Sequence, residues 1–432
     1  MGTILRNGRL LVNGELVIKD ILIEGNTIEK IGDGLEIADH KVIDATDKLV
    51  TPGFIDMHVH LREPGFEAKE TIATGTASAA RGGFTTVACM PNTRPVIDTP
   101  ETVKQILSKA KAEGSARVLP IGAITVRELG KELTDMSALK EAGVIAVSDD
   151  GVGIQTSQVM KDAMKVATGL GLPVIAHCED DSLAEGGCVH EGVFSEKHGL
   201  KGIPSEAESI HVGRDILLAE ATGAHYHVCH ISTVESVRLV REAKQRGARV
   251  TTEVCPHHLL LCDEDIPALD ANYKMNPPLR SRRDRDALIE GLKDGTIDMI
   301  VTDHAPHTAE EKQRGMELAP FGIVGLETAF PLLYTKLVLE GSFTLQEIVE
   351  RMTKVPADVF NLPWGTLQEG AIADIAVIDL ETEKEVNPED FASKGHNTPF
   401  TGWRLKGWPV LTMLEGQVVW QADEMNSEGA RQ

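Results

Sequence analysis

Aromatic residues are scarce, 4% of the 432, so the core has to be built mostly from Ala, Val, Ile and Leu. Basic residues are also in deficit: 43 Lys and Arg stand against 66 Asp and Glu, a formal net charge of -23. A field of that sign repels phosphate backbones and anionic membranes, which argues against nucleic acid or a membrane surface as partner. It leaves room for a small anionic substrate, because a local arginine or metal can invert the field inside a pocket. No run of about 18 apolar residues occurs, and the opening residues show no basic-then-apolar secretory pattern. Six cysteines, none in a CxxC pair, do not make a disulfide framework. These absences predict a reduced, cytoplasmic enzyme. Dinucleotide and P-loop signatures are missing as well: "GVGIQT" at 151–156 has too few glycines and no lysine.

What is present is a strand texture at both ends and an alternation between them. "ILRNGRLLV", "GELVIKDILIEGNTIEKI" and "HKVIDATDKLV" read as short strands with tight turns, and the texture returns in "ADIAVIDLE" and in "WRLKGWPVLTMLEGQVVW". Each end alone has few strands, so the two are expected to pair into one small composite β-sandwich. In the middle, eight β-type runs begin near 53, 84, 116, 143, 172, 224, 249 and 297. Amphipathic segments such as "ETIATGTASAARG", "PETVKQILSKAKAEG" and "STVESVRLVREAKQRG" fall between them and end at glycine. The expectation is an α/β chain built on a (β/α)₈ TIM-like barrel. Residues 1–51 and 365–432 would supply the sandwich and a tail, and 52–364 the barrel.

Ligand-type residues collect at the C-terminal ends of the barrel strands, where such barrels keep their active sites. His58 and His60 close the first strand and, two apart, face the same way. Asp149 and Asp150 end the fourth, His177 the fifth, His230 the sixth, and Asp303 with His304 the eighth. Imidazoles and carboxylates suit Zn²⁺ with an open water position. The set exceeds what one four-coordinate ion needs, so a dinuclear centre bridged by one Asp of the pair is predicted alongside a single ion. His225 and His227 read as outer-face or packing residues, and His257 and His258 lie near the mouth. The strand cysteines read as small buried hydrophobes.

Taken together, "TPGFIDMHVHLREPG", "MPNTRP", "SDDG", "HCED", "CHIST", "EVCPHHL", "NPPLR", "TDHAPH" and "PFGIVGLE" resemble the longer-type bacterial dihydroorotases of the amidohydrolase superfamily. The resemblance implies His58, His60 and Asp303 on one zinc and His177 and His230 on a second. Asp150 would bridge them, with Asp149 the competing assignment, in place of the carbamylated lysine many relatives use. It further implies Arg62, Asn92 and His307 on the free carboxylate of dihydroorotate, and Asn276, Phe321 and Gly322 at the ring edge. The implied reaction is reversible cyclisation of N-carbamoyl-L-aspartate to L-dihydroorotate in pyrimidine biosynthesis, with a metal-activated hydroxide as nucleophile and Asp303 as general acid and base. A homodimer is usual for the family, and association with aspartate transcarbamoylase stays open. A hydantoinase or allantoinase, a silent structural relative and a pure binding module are the rival readings. Segment 308–320 is either a movable edge of the mouth or solvated surface.

Overall fold

Parallel strands with both faces covered have no polar side to present, and that is how this barrel is built. Every residue of the strands Phe54–Val59 and Phe84–Cys89 is buried. A computed structural model describes residues 2–36, 39–423 and 425. Phe54–Val59 pairs with Phe84–Cys89, and that strand with Arg117–Pro120, all parallel. Gly122–Ala123 continues the third strand and pairs with Val147–Ser148. The order then runs through Val174–Ala176, Tyr226–Val228, Val250–Val254 and Met299–Ile300. A parallel bridge between Val59 and His304 closes the ring, and His60 donates its N–H to the His304 carbonyl at 2.8 Å.

Helices on the outside follow the expected grammar. Thr71 and Thr99 cap Ile72–Arg81 and Pro100–Glu113 by accepting a backbone N–H, and Thr233 does so for Val234–Gln245. Ile55, Met57, Ala88, Ile121, Ile175 and Met299 form one buried cluster with Ala357 and Phe360, which belong to the helix Lys354–Phe360 under the barrel. Outside it, Phe54 stacks on Phe330 at 5.1 Å and meets Phe84 edge-on at 5.5 Å.

The two ends of the chain share one eight-stranded sheet. Leu49–Pro52 is the seam: it lies parallel to Thr3–Val12 and antiparallel to Ile375–Asp379, with Thr51 opposite Ala376. Asn13-Gly14 makes a hairpin turn, whereas Asn7-Gly8 sits inside the first strand at a register shift, Asn7 having φ 59°. Part of the C-terminal segment leaves this sheet. Lys384–Glu385 pairs with Arg404–Leu405, and Val386, Phe400 and Leu405 pack with Leu279, Met316 and Ile323 beside the barrel mouth. No helix among the described residues is long and apolar enough to cross a membrane.

Candidate metal centre

Of the twelve residues to which the resemblance gives metal or substrate roles, Asp149 as the rival bridge aside, eleven line one cavity of about 190 Å³ at the C-terminal ends of the strands; the twelfth, His58, is fully buried beneath it. Asp150 faces four imidazoles. Its Oδ1 stands 3.5 Å from His58 Nε2, 3.9 Å from His177 Nδ1 and 4.0 Å from His230 Nε2, and its Oδ2 lies 3.6 Å from His60 Nε2. Asp303 Oδ1 lies 3.0 Å from His60 Nε2 and 3.4 Å from His58 Nε2. Burial works against a charged Asp150, yet His58, His60 and His177 hold its carboxyl well below the usual carboxylate range. His58 is likewise raised well above an ordinary imidazole: burial opposes its charge, and Asp150 and Asp303 outweigh burial.

Two polar atoms at the centre, His58 Nε2 and Asp150 Oδ1, are buried without a hydrogen-bond partner. Orphaned atoms of this kind, converging with other donors, fit a cation rather than a packed core. Ligand atoms of His58, His230 and Asp303 lie within 4.8 Å of one another, as do those of Asp150, His177 and His230. The residues therefore fit a metal: His230 belongs to both groups, and the Asp150 carboxylate lies within 4.0 Å of all four imidazoles. Asp149 points elsewhere. Its Oδ1 accepts the N–H groups of Ile124 and Thr125 at 2.8 and 3.0 Å, and its Oδ2 accepts the Thr125 hydroxyl, tying the third strand's end to the fourth.

The imidazoles are oriented from behind. His58 Nδ1–H donates to Glu253 Oε1 at 2.6 Å, and His60 Nδ1–H donates to Asn92 Oδ1 at 2.9 Å, so both Nε2 atoms turn to the centre. Glu253, on the seventh strand, also accepts from His227 Nε2 at 3.0 Å. Burial would raise its carboxyl, but His58 and His227 bring it down to about 2. Of the outer and packing places the sequence left open for His227, the structure gives the packing one: it is fully buried. Glu253 was missed, because a lone Glu in a β-rich run carries no signal that its neighbour across the barrel is a histidine. Cys229 also comes close to His58 and Asp150. Burial pushes its thiol well above the usual range, so it stays a protonated, small buried group. His258 Nε2–H donates to the Pro277 carbonyl at 2.8 Å, away from the cavity.

On the cavity's other wall, Arg62 donates from Nε to the Pro306 carbonyl at 3.2 Å. Burial lowers its guanidinium to about 10, still cationic at neutral pH. His307 Nε2–H donates to the Phe321 carbonyl at 2.7 Å, and its Nδ1 accepts from Lys69 at 3.2 Å. Burial, with Arg62 and Lys69 next, keeps this imidazole neutral, far below its ordinary range. Asn276 donates to Glu179 Oε2 at 3.0 Å. Gly322 has φ 131°, and a Cβ there would stand 2.7 Å from that of Ala305, so only glycine lets this wall close up.

Known proteins share both the sequence and the shape. Residues 47–236 match a family described as dihydro-orotase-like. The chain is 60% identical over 98% of its length to the whole of a dihydroorotase from Halalkalibacterium halodurans, and 63% identical over 98% to the whole of one from Brevibacillus brevis. Among solved structures it resembles an L-hydantoinase (dihydropyrimidinase) from Arthrobacter aurescens. There the TM-score is 0.88 at 26% identity, over 97% of this chain and 96% of that one. A dihydropyrimidinase from Brevibacillus agri gives 0.86 at 25% identity, over 98% and 95%. These neighbours place the molecule among the barrel-and-sandwich amidohydrolases. Identity of this order along nearly the whole length settles the closer kinship: the chain belongs to the dihydroorotase family.

Proposed function

We propose that the chain is a zinc-dependent dihydroorotase that interconverts N-carbamoyl-L-aspartate and L-dihydroorotate in the making of pyrimidines. The observation that carries this reading is Asp150 facing four imidazoles, with Asp303 beside it, in a cavity that Arg62 also lines. His58, His60 and Asp303 would hold one ion, His177 and His230 the other, and Asp150 would reach both. Imidazole and carboxylate donors favour zinc over a harder ion. Bound there, zinc supplies Lewis acidity toward the ring amide carbonyl and an activated water.

The rest falls to the chain's own groups. Asp303 stands at the edge of the cavity, where its carboxylate takes a proton from the attacking water and hands it to the leaving ring nitrogen; ring closure uses the same group in reverse. Arg62 offers a planar pair of N–H donors to the substrate carboxylate, and the Asn92 amide and His307 flank it. Asn276 and the Phe321–Gly322 backbone meet the ring edge. Residues 52–364 act as the catalytic barrel, and 1–51 with 365–432 as the sheet that braces it. The likeness to hydantoinases supports the cyclic-amide class, and Arg62 favours a ring with a free carboxylate. Hydrolysis of L-dihydroorotate is followed by absorbance on the purified protein, after chelation, and after zinc is restored, with hydantoin as control. Activity that falls and returns with zinc is expected. Turnover of hydantoin but not dihydroorotate would overturn the reading.

A further inference from the structure

Segment 308–320 carries a lysine that is neither solvated nor paired with an acid. Lys312, at the end of the short helix Ala309–Lys312, is 8% exposed. Its Nζ donates to three carbonyl oxygens: Lys274 at 3.2 Å, Pro320 at 3.1 Å and Gly322 at 2.9 Å. No carboxylate among the described residues comes within ion-pair distance of it. Burying an ammonium is expensive, and a methionine or leucine would fill the space at lower cost. The three acceptors use all three of its N–H groups, and two of them flank Phe321. The Phe321 carbonyl is taken by His307, and the Gly322 carbonyl also accepts from Asn397 at 3.0 Å. Lys274 closes the other side, its ammonium 4.5 Å from the Phe321 ring centre.

We propose that Lys312 is a positioning residue for substrate recognition: its ammonium clasps the backbone on both sides of Phe321 and so holds the Phe321–Gly322 segment against the substrate cavity. This rests on the dihydroorotase reading above. Phe321 and Gly322 line the cavity, and Lys312 does not. Its effect is therefore on the shape of the ring-facing wall, and it reaches neither the metal ligands nor the proton carrier. Protonation decides how many donors the clasp has. An ammonium fills all three carbonyls, whereas a neutral amine offers two hydrogens and turns a lone pair toward the third. Burial, with Lys274 adding to it and Asp270 and Glu311 opposing, brings the group down to about 7. His307, Lys69 and Arg62 are further titratable groups on this side of the mouth, and Glu317 acts on Lys274.

The test compares wild type, Lys312→Met and Lys312→Arg, all zinc-loaded, for hydrolysis of L-dihydroorotate between pH 6 and 9. Wild-type KM should rise with pH above about 7 while zinc content stays constant. Lys312→Met should show KM raised about tenfold at pH 6.5, a kcat within twofold of wild type, and no further rise with pH. Lys312→Arg, a permanent cation, should restore KM toward wild type without the alkaline rise. A flat wild-type KM overturns the proposal even if Lys312→Met fails to fold. So does a folded Lys312→Met whose KM is unchanged, or whose loss lies in kcat alone. A wild type that does not turn over dihydroorotate defeats the functional reading itself, before any variant is compared.

Discussion

Three residues at the mouth are held in left-handed backbone: Arg62 at φ 62°, His230 at 27° and Asp303 at 49°. None is a glycine, and such conformations persist only where surrounding structure enforces them. All three end a barrel strand or follow one closely, so the chain turns sharply where its side chain must point back over the cavity. The metal-type residues were legible in the sequence because strand ends in a barrel converge, whatever the loops do. Asp149 and Asp150 were not separable by pattern, since adjacent residues differ only in which way a bend throws them. Their geometry separates them by consequence. Asp150→Ala should abolish metal binding and leave a folded chain, whereas Asp149→Ala should lower the melting temperature by freeing three donors at Ile124 and Thr125. Glu253, illegible because its role lies across the barrel, should show a third behaviour. Glu253→Gln should weaken metal retention about 10- to 100-fold with the fold intact, read by titration against a chelator.

At the scale of elements, helices and strands were legible where their periods were strong. The strands within the runs at 53–60 and 84–90 are buried on both faces, and the helices after them stop at or near glycine. The third strand is less regular. It pairs with the second as Arg117–Pro120 and with the fourth as Gly122–Ala123, and beyond it Arg127 and Glu128 are both left-handed, at φ 56° and 55°. No residue type in "TVREL" announces that turn. It buries the Glu128 carboxyl, and burial first, then Asp149, Asp150 and Asp98, raises that group to about 9. An acid whose folded value exceeds its unfolded one binds more protons folded, so it costs stability progressively as pH rises from about 4.5 toward 9. Glu128→Gln should therefore melt higher than wild type at pH 8.5 and level with it near pH 4. Equal melting temperatures at both would show that the carboxyl is solvated.

For the molecule as a whole, the pairing of the two ends was legible from matching strand texture. The excursion of residues 386–403 to the mouth was not. It is mostly loop, held by a two-residue strand pair, and has no periodicity to read. Yet Asn397 donates to the Ala305 and Gly322 carbonyls at 3.0 Å each and accepts the His307 N–H at 3.1 Å, so the C-terminal segment braces the cavity wall. A chain ending at residue 364 should lose turnover even where its barrel helices persist, because it lacks both this brace and the Ile375–Asp379 strand. Circular dichroism alongside the dihydroorotate assay checks the two separately.

The seam at Leu49–Pro52 also sets an order of events. Thr51 meets Ala376 across a strand pair that spans most of the chain, so during synthesis Leu49–Pro52 emerges long before its partner on that side exists. Until then one side of that strand has open N–H and C=O groups, the kind of edge that pairs with any passing strand. The terminal sheet is thus the last part of the molecule able to close. A ribosome that stops early releases a product whose unfinished edge is accessible to chaperone and protease.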